Sequence, residues 1–537
     1  MNLKKIIALF TVILILCLSG CNKLSEDTSS STVPVPETEN EAADSISLLY
    51  SASDTFNPYT CETDLNRELC RLVFDSLIRL NNSFETEYML ADTVTVKGKT
   101  CTVTLKDIHF TDGTAVTAKD VVYSYKLAKK SKTSYSYNLY EAKSAKAEGD
   151  KTVVFSLTRY DPYFEKLLDF PVIKAESDKK TDEDGIVLTP IGSGRYTVNE
   201  DSTALYSNEK YFGGKSNIKS ISLVNAPDPE SVTHYVERGT TDIYYTDISG
   251  GNIVRMSGKK VDVNLNNLVY IGINDSYGQL NTKELRYAIS AAIDRGSICQ
   301  AAYHNNAVPA TGFFNPSISD VKAVQNLQSS ADTEISIENL EQIGYNKLNS
   351  DSFRVNSSGN RIRLTLLVNS DNQSRLAAAQ LIVNSLKAVG IEVTLQKRNY
   401  SQYIKALKSG NFQLYLGEIK TLANMDLAEL VIAGGSCAWG ISEKNDDKAS
   451  DNKDKKDESG KKEENTEKGL SIADIINGFY KGKNSITDVA NILQTEMPVI
   501  PVCFRRGLLF YSDDIGNVKE ASESDIYYSI LGYTIKK

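Results

Sequence analysis

The side chains that most often do chemistry are few here and poorly grouped. The 537-residue sequence holds three histidines, His109, His234 and His304, far apart and without partners at metal-ligand spacing. That argues against a histidine-built zinc or iron centre. His109 has no serine or cysteine placed to serve as its nucleophile, and the neighbouring Asp112-Gly113 reads as a turn. No GxSxG, HExxH or phosphate-loop pattern occurs. An enzyme, such as a hydrolase, is the least supported class, and no metal or cofactor is expected.

One cysteine does stand in a reactive context. Lys4-Lys5 precede an apolar run from Ile6 to Leu18, broken only by Thr11. As a helix the run reaches ~20 Å, short of the ~30 Å hydrocarbon core. Residues 1–20 therefore read as an export signal and not as a permanent span. The run ends in Leu18-Ser19-Gly20-Cys21, which matches the bacterial lipobox, small residues before a cysteine that receives a thioether-linked lipid. Lipid on Cys21 would hold the chain at the extracytoplasmic face of a bacterial cell membrane, each buried methylene contributing ~0.8 kcal/mol. Residues 21–43, rich in Ser, Thr, Glu and Pro, read as a disordered tether. The remaining cysteines, Cys61, Cys70, Cys101, Cys299, Cys437 and Cys503, form no CxxC pair. Cys61 and Cys70 are nearest each other, and a disulfide or two buried thiols fit equally well.

The elements that must position any site alternate along the chain. Cys101–Leu105 alternates as a half-buried strand, and Thr117 with Asp120 forms a carboxylate capping box for a helix over Ala118–Lys130. Farther on, Arg361–Val368, Ile391–Leu395 and Phe412–Leu416 read as strands, separated by helices over Ser374–Val389 and from Ser401 to Gly410. This β-α-β-α-β series predicts a parallel open sheet, whose ligands bind beyond the carboxyl ends of the strands. The loops there are 369–373, 396–400 and 417–426. Residues 442–468 hold eight Lys and ten Asp/Glu with Ala449 as the only aliphatic side chain, so they read as a disordered charged insertion.

Composition narrows the class further. Charged residues are 24% and apolar residues 41%, an ordinary globular balance. The net charge of −9 argues against a general nucleic-acid binder, which needs a basic surface.

An ordered set of motifs then resembles the peptide/nickel class of extracellular solute-binding proteins that serve ABC importers. Phe56-Asn57-Pro58-Tyr59 resembles its early Leu-Asn-Pro element. Phe110-Thr-Asp-Gly-Thr114 with Thr117–Tyr123 (TAKDVVY) resembles its "F-x-D-G-t … t-A-x-D-V-v-y" signature. Pro190–Tyr196 (PIGSGRY) resembles "p-x-G-T-G-P-Y", with Ser193 for Thr and Arg195 for Pro. Arg286–Ile289, Ala292–Arg295 and Glu496–Pro501 fit three later landmarks.

The resemblance implies an α/β, two-lobed periplasmic-binding-protein-like fold with a hinge and an extra small domain in lobe one. Lobe one would be 45–261 and 499–537, with the extra domain at 75–185, and lobe two 272–497. The hinge crossings would fall at Tyr270–Asn274 and Pro498. The implied role is capture of a peptide, nickel chelate or similar small solute by a monomer, and delivery to ABC permease transmembrane subunits. A surface sensor or chaperone-like lipoprotein of the same fold is the alternative.

In peptide-binding members an aspartate in a "G-W-x-x-D-Y-x-D-P" segment pairs with the ligand ammonium. Here Leu416–Asp426 (LGEIKTLANMD) lacks the Trp, the Asp-Tyr and the Pro. Glu418, at a strand end, is the candidate replacement anion, with Asp426 next. Asn57, Tyr59, Tyr270 and Asn274 are further ligand-binding candidates by motif and hinge position. Trp439, the single tryptophan, is a candidate for stacking on ligand.

Overall fold

The computed structural model describes residues 44–248, 254–442 and 470–536. The expected signal segment, the tether with Cys21, and residues 443–468 of the charged insertion lie outside the described residues.

The chain opens with Ser45–Tyr50, which pairs in parallel with Ser220–Asn225 (Ile46 opposite Ile221, Leu48 opposite Leu223). Ala204–Ser207 and Tyr196–Val198 complete this four-stranded sheet. Between its strands lies a second four-stranded sheet, all antiparallel, in the order Ala91–Lys97, Thr100–Leu105, Thr152–Leu157, Ala142–Glu148. The helix Ala118–Lys130 packs on it, burying Val121, Tyr125 and Ala128 in the same cluster as Cys101, Val103, Val153 and Phe155. Its start is the expected capping box: the Asp120 carboxylate accepts from the Thr117 N–H at 2.9 Å and from the Thr117 hydroxyl at 2.6 Å.

The third sheet has seven strands. Its order is Ile243–Thr246, Val499–Tyr511, Lys259–Ile273, Leu414–Lys420, Arg363–Asn369, Glu392–Arg398, with Ala307–Pro309 also on Val499–Tyr511. Three of these are the expected β-α-β-α-β strands, and Arg363–Asn369 pairs in parallel with both of the others. The helices Gln373–Ala388 and Tyr400–Lys408 start on Asn372 and Asn399, whose side chains accept from backbone N–H groups. Gly390 (φ 85°) and Gly410 (φ 67°) follow them in the left-handed region that ends a helix and that glycine adopts without steric cost.

Two long strands run through two cores. Val263, Leu265, Leu509 and Tyr511 pack with the N-terminal core. Val269, Ile271, Ile273, Ile500, Val502 and Cys503 pack with the core of the three parallel strands. The change falls where the strand register slips between Asn264 and Leu268, opposite Phe504–Arg506. A second slip falls between Val269 and Tyr270; of the expected crossing residues, Tyr270 is buried in an apolar cluster, and Asn274 donates to the Gly410 and Phe412 carbonyls at 3.1 and 3.0 Å. Both strands continue from one core into the other without ending between them.

The C-terminal segment returns to the first core through a buried carboxylate. Asp525, 3% exposed, accepts from Arg195 at 2.9 Å and Arg79 at 3.1 Å. Arg195, the departure from the family's proline, also donates to the carbonyls of Arg71 (2.8 Å) and Tyr527 (2.9 Å). Burial opposes ionisation of Asp525, but Arg195, Arg79 and Arg71 outweigh it and hold the carboxyl below its usual range. A depressed carboxyl stabilises the fold above its ordinary pKa of ~3.9, and that stability is lost as pH falls through the folded-state value. Asp525→Asn is expected to cost about 3–5 kcal/mol in urea unfolding at pH 7, with a smaller gap between variant and wild type at pH 3. Equal midpoints at pH 7 would contradict this role.

Candidate functional site

The helix Asp64–Val73 buries Leu69, Cys70, Leu72 and Val73, with Arg71 between them turned outward. Arg71 faces a cavity of about 260 Å³. Its other walls come from Lys166 and Asp169, from the short helix Ser134–Asn138, from Asn266, and from Lys420–Ala423 at the end of a parallel strand. Leu80, Phe84, Tyr137 and Leu422 add apolar surface. The site thus lies where the register slips and where a parallel strand ends, as open α/β sheets dictate.

Charges of both signs line it. The Arg71 guanidinium donates to the Asp169 carbonyl at 2.7 Å and to its carboxylate at 3.4 Å, and lies 5.3 Å from the Tyr135 ring centre. Lys420 pairs with Glu523 at 2.9 Å and Lys166 with Asp320 at 3.4 Å. Glu523 raises the Lys420 pKa against the effect of burial. Glu68, one turn before Arg71, is pushed up to about 7 by burial, with Arg71 and Lys420 opposing that rise.

Several polar atoms at the cavity are left without partners among the described residues. Asn266, 3% exposed, uses its amide N–H groups on the Thr421 and Leu422 carbonyls, both at 3.1 Å, while its Oδ1 accepts nothing. Asp169 Oδ1 and Ser524 Oγ are likewise unpartnered. Such groups cost ~1–3 kcal/mol each when desolvated, and ligand donors would relieve that cost.

The residues singled out from sequence are placed differently. Glu418, its side chain 5% exposed, is enclosed by Arg505 (2.8 Å), Arg375 (2.8 Å) and Asn267 (3.0 Å) and does not line the cavity. Burial opposes its ionisation, but the two guanidiniums outweigh this and hold its carboxyl below the usual range. Asp426 pairs with Arg159 and accepts from the Tyr140 hydroxyl at 2.8 Å. Asn57 shapes a turn, its Oδ1 accepting the Tyr59 N–H at 3.0 Å. Tyr59 donates to the Pro171 carbonyl and packs edge-on to Tyr135, the ring beneath Arg71. Tyr270 lies 3.2 Å from the Tyr415 hydroxyl, and Trp439 is half-buried on an apolar cluster. All six cysteines of the described residues are free thiols, five of them buried. Cations set in apolar stretches, Arg71 in LCRLV and Lys166 in FEKLL, were the sequence signal for the cavity.

Comparison with known proteins agrees with this architecture. The family model described as bacterial extracellular solute-binding proteins, family 5 Middle, matches residues 85–430. The oligopeptide-binding protein AppA of Bacillus subtilis is 22% identical over 437 residues, covering 76% of this chain and 79% of that protein. Two solved structures share the fold. One is the unliganded open form of the periplasmic murein tripeptide binding protein MppA (16% identity, TM-score 0.69, 92% of this chain and 98% of that one). The other is the ABC transporter substrate binding protein CtaP of Listeria monocytogenes (18% identity, TM-score 0.65, 92% and 100%). The fold is the two-lobed α/β fold of these binding proteins, and the chain belongs to the family 5 bacterial extracellular solute-binding proteins.

Proposed function

We propose that this protein is a lipid-anchored receptor that captures a short peptide between its lobes and delivers it to an ABC permease. The family supplies the coarser role, the substrate-binding component of a peptide or solute ABC importer. The observation that carries the finer reading is the cavity, where paired charges of both signs stand beside unpartnered acceptors. A zwitterionic peptide fits it. Its ammonium and amide N–H groups would face Asp169 and Asn266, and its carboxylate would face Lys166 and Lys420. Lobe one is read as 45–264 with the C-terminal return, lobe two as 268–504, and the register slip between them as the hinge. The 75–185 segment, with its own sheet, is read as the extra domain of lobe one.

Calorimetry with a panel of two- to five-residue peptides tests the site. Saturable binding is expected, weakened roughly 10- to 100-fold by Asp169→Asn and by Lys420→Ala, as for losing a charge-assisted hydrogen bond of ~1.5–3 kcal/mol. Undiminished affinity in both variants would place the ligand elsewhere, and turnover of the peptide would make the protein an enzyme. For the anchor, Cys21→Ser is expected to move the protein from the membrane fraction to the medium. Unchanged membrane association would contradict lipidation at Cys21.

A further inference from the structure

The short helix Ser134–Asn138 carries two tyrosines that turn opposite ways, as residues two apart on a helix do. Tyr135 turns inward, 4% exposed, beneath Arg71. Tyr137 turns outward and is 48% exposed. It still belongs to the cavity wall, beside Ser134 and Asn138 of the same helix. The other large apolar side chains of that wall, Leu80, Phe84 and Leu422, are buried. Among the large apolar side chains of the wall, Tyr137 alone is left open.

Its ring is held from behind. Tyr140 stacks on it with ring centres 6.0 Å apart and planes 16° apart. Tyr140 is itself fixed, its hydroxyl donating to Asp426 at 2.8 Å and accepting from Arg159 at 2.6 Å. A near-parallel partner covers one face of an aromatic ring and leaves the other. Among the described residues no second ring and no cation lies against Tyr137. A ring already fixed in this way offers a ligand apolar burial and stacking with little ordering cost.

The surrounding charges select what settles on that face. Arg71, Lys166 and Lys420 line the cavity against two carboxylates, Asp169 and Glu523. Asp426, behind the stack, is already paired with Arg159. Lining cations outnumber lining carboxylates, so a neutral ring suits the position better than an arginine side chain does.

We infer that Tyr137 is a stacking platform, and that the cavity selects peptides carrying an aromatic side chain to lie on its free face. The inference rests on the peptide-capture reading above and gives it a substrate class. Tyr140 and Arg159 act as positioning residues, holding the platform without touching the ligand.

Calorimetry on the whole chain tests it with trialanine and with tripeptides in which each alanine in turn is replaced by phenylalanine, cyclohexylalanine or arginine. The wild type is expected to bind its best phenylalanine peptide more tightly than trialanine, and at least about threefold more tightly than the cyclohexylalanine and arginine counterparts, as for one aromatic pair. In Tyr137→Leu, checked by thermal melting, the phenylalanine and cyclohexylalanine peptides are expected to fall within about twofold of each other. Trialanine is expected to bind that variant as it binds the wild type, and Tyr137→Trp is expected to keep the preference. Cyclohexylalanine or arginine peptides bound by the wild type as tightly as the phenylalanine one would overturn the platform and leave peptide capture standing. An unchanged preference in folded Tyr137→Leu would overturn Tyr137 as its cause. No binding of any peptide would overturn peptide capture, and the platform with it. The wild-type comparison decides the substrate class even if Tyr137→Leu fails to fold.

Discussion

One enclosed carboxylate ties the architecture together. Glu418 on the strand Leu414–Lys420 meets Asn267 of the outgoing strand, Arg505 of the returning strand and Arg375 in the first turn of the following helix. Three strands and a helix thus share one charge at the point where the sheet passes between cores. A buried ion cluster of this kind is weak evidence of net stability, but it tolerates few alternatives, because any misregistration leaves a charge unpaired. The register slip Asn264–Leu268 lies beside it.

That constraint also explains the distribution of charge around the cavity. Glu418 is already paired with Arg375 and Arg505 and does not line the cavity. The next charged residue along, Lys420, instead faces the cavity with Glu523. The acceptors come from the other wall and from the bulged strand, as Asp169 and Asn266. Arg195 contributes at one remove. It binds Asp525 and the Arg71 carbonyl, holding the helix that presents Arg71 to the cavity.

Local features were legible in the sequence. The capping box of Thr117 and Asp120, the β-α-β-α-β alternation from 361 to 416 and the glycines at 390 and 410 all depend on neighbours within a few residues. The site was not legible, because its partners are remote along the chain. Arg71 and Asp169 are 98 residues apart, and Glu418 and Arg505 are 87 apart. A carboxylate at a strand end looks the same in sequence whether it faces ligand or two arginines. Tyr59 and Asn57, marked by motif, hold up the Tyr135–Arg71 platform and its turn instead of lining the cavity.

A crystal structure of the chain with a saturating di- or tripeptide tests the central claim most directly. The account predicts peptide density between Lys166–Asp169 and Lys420–Ala423, with its N–H donors within hydrogen-bond reach of Asp169 or Asn266. A peptide bound away from these walls, or one held by Glu418 released from its two arginines, would contradict it.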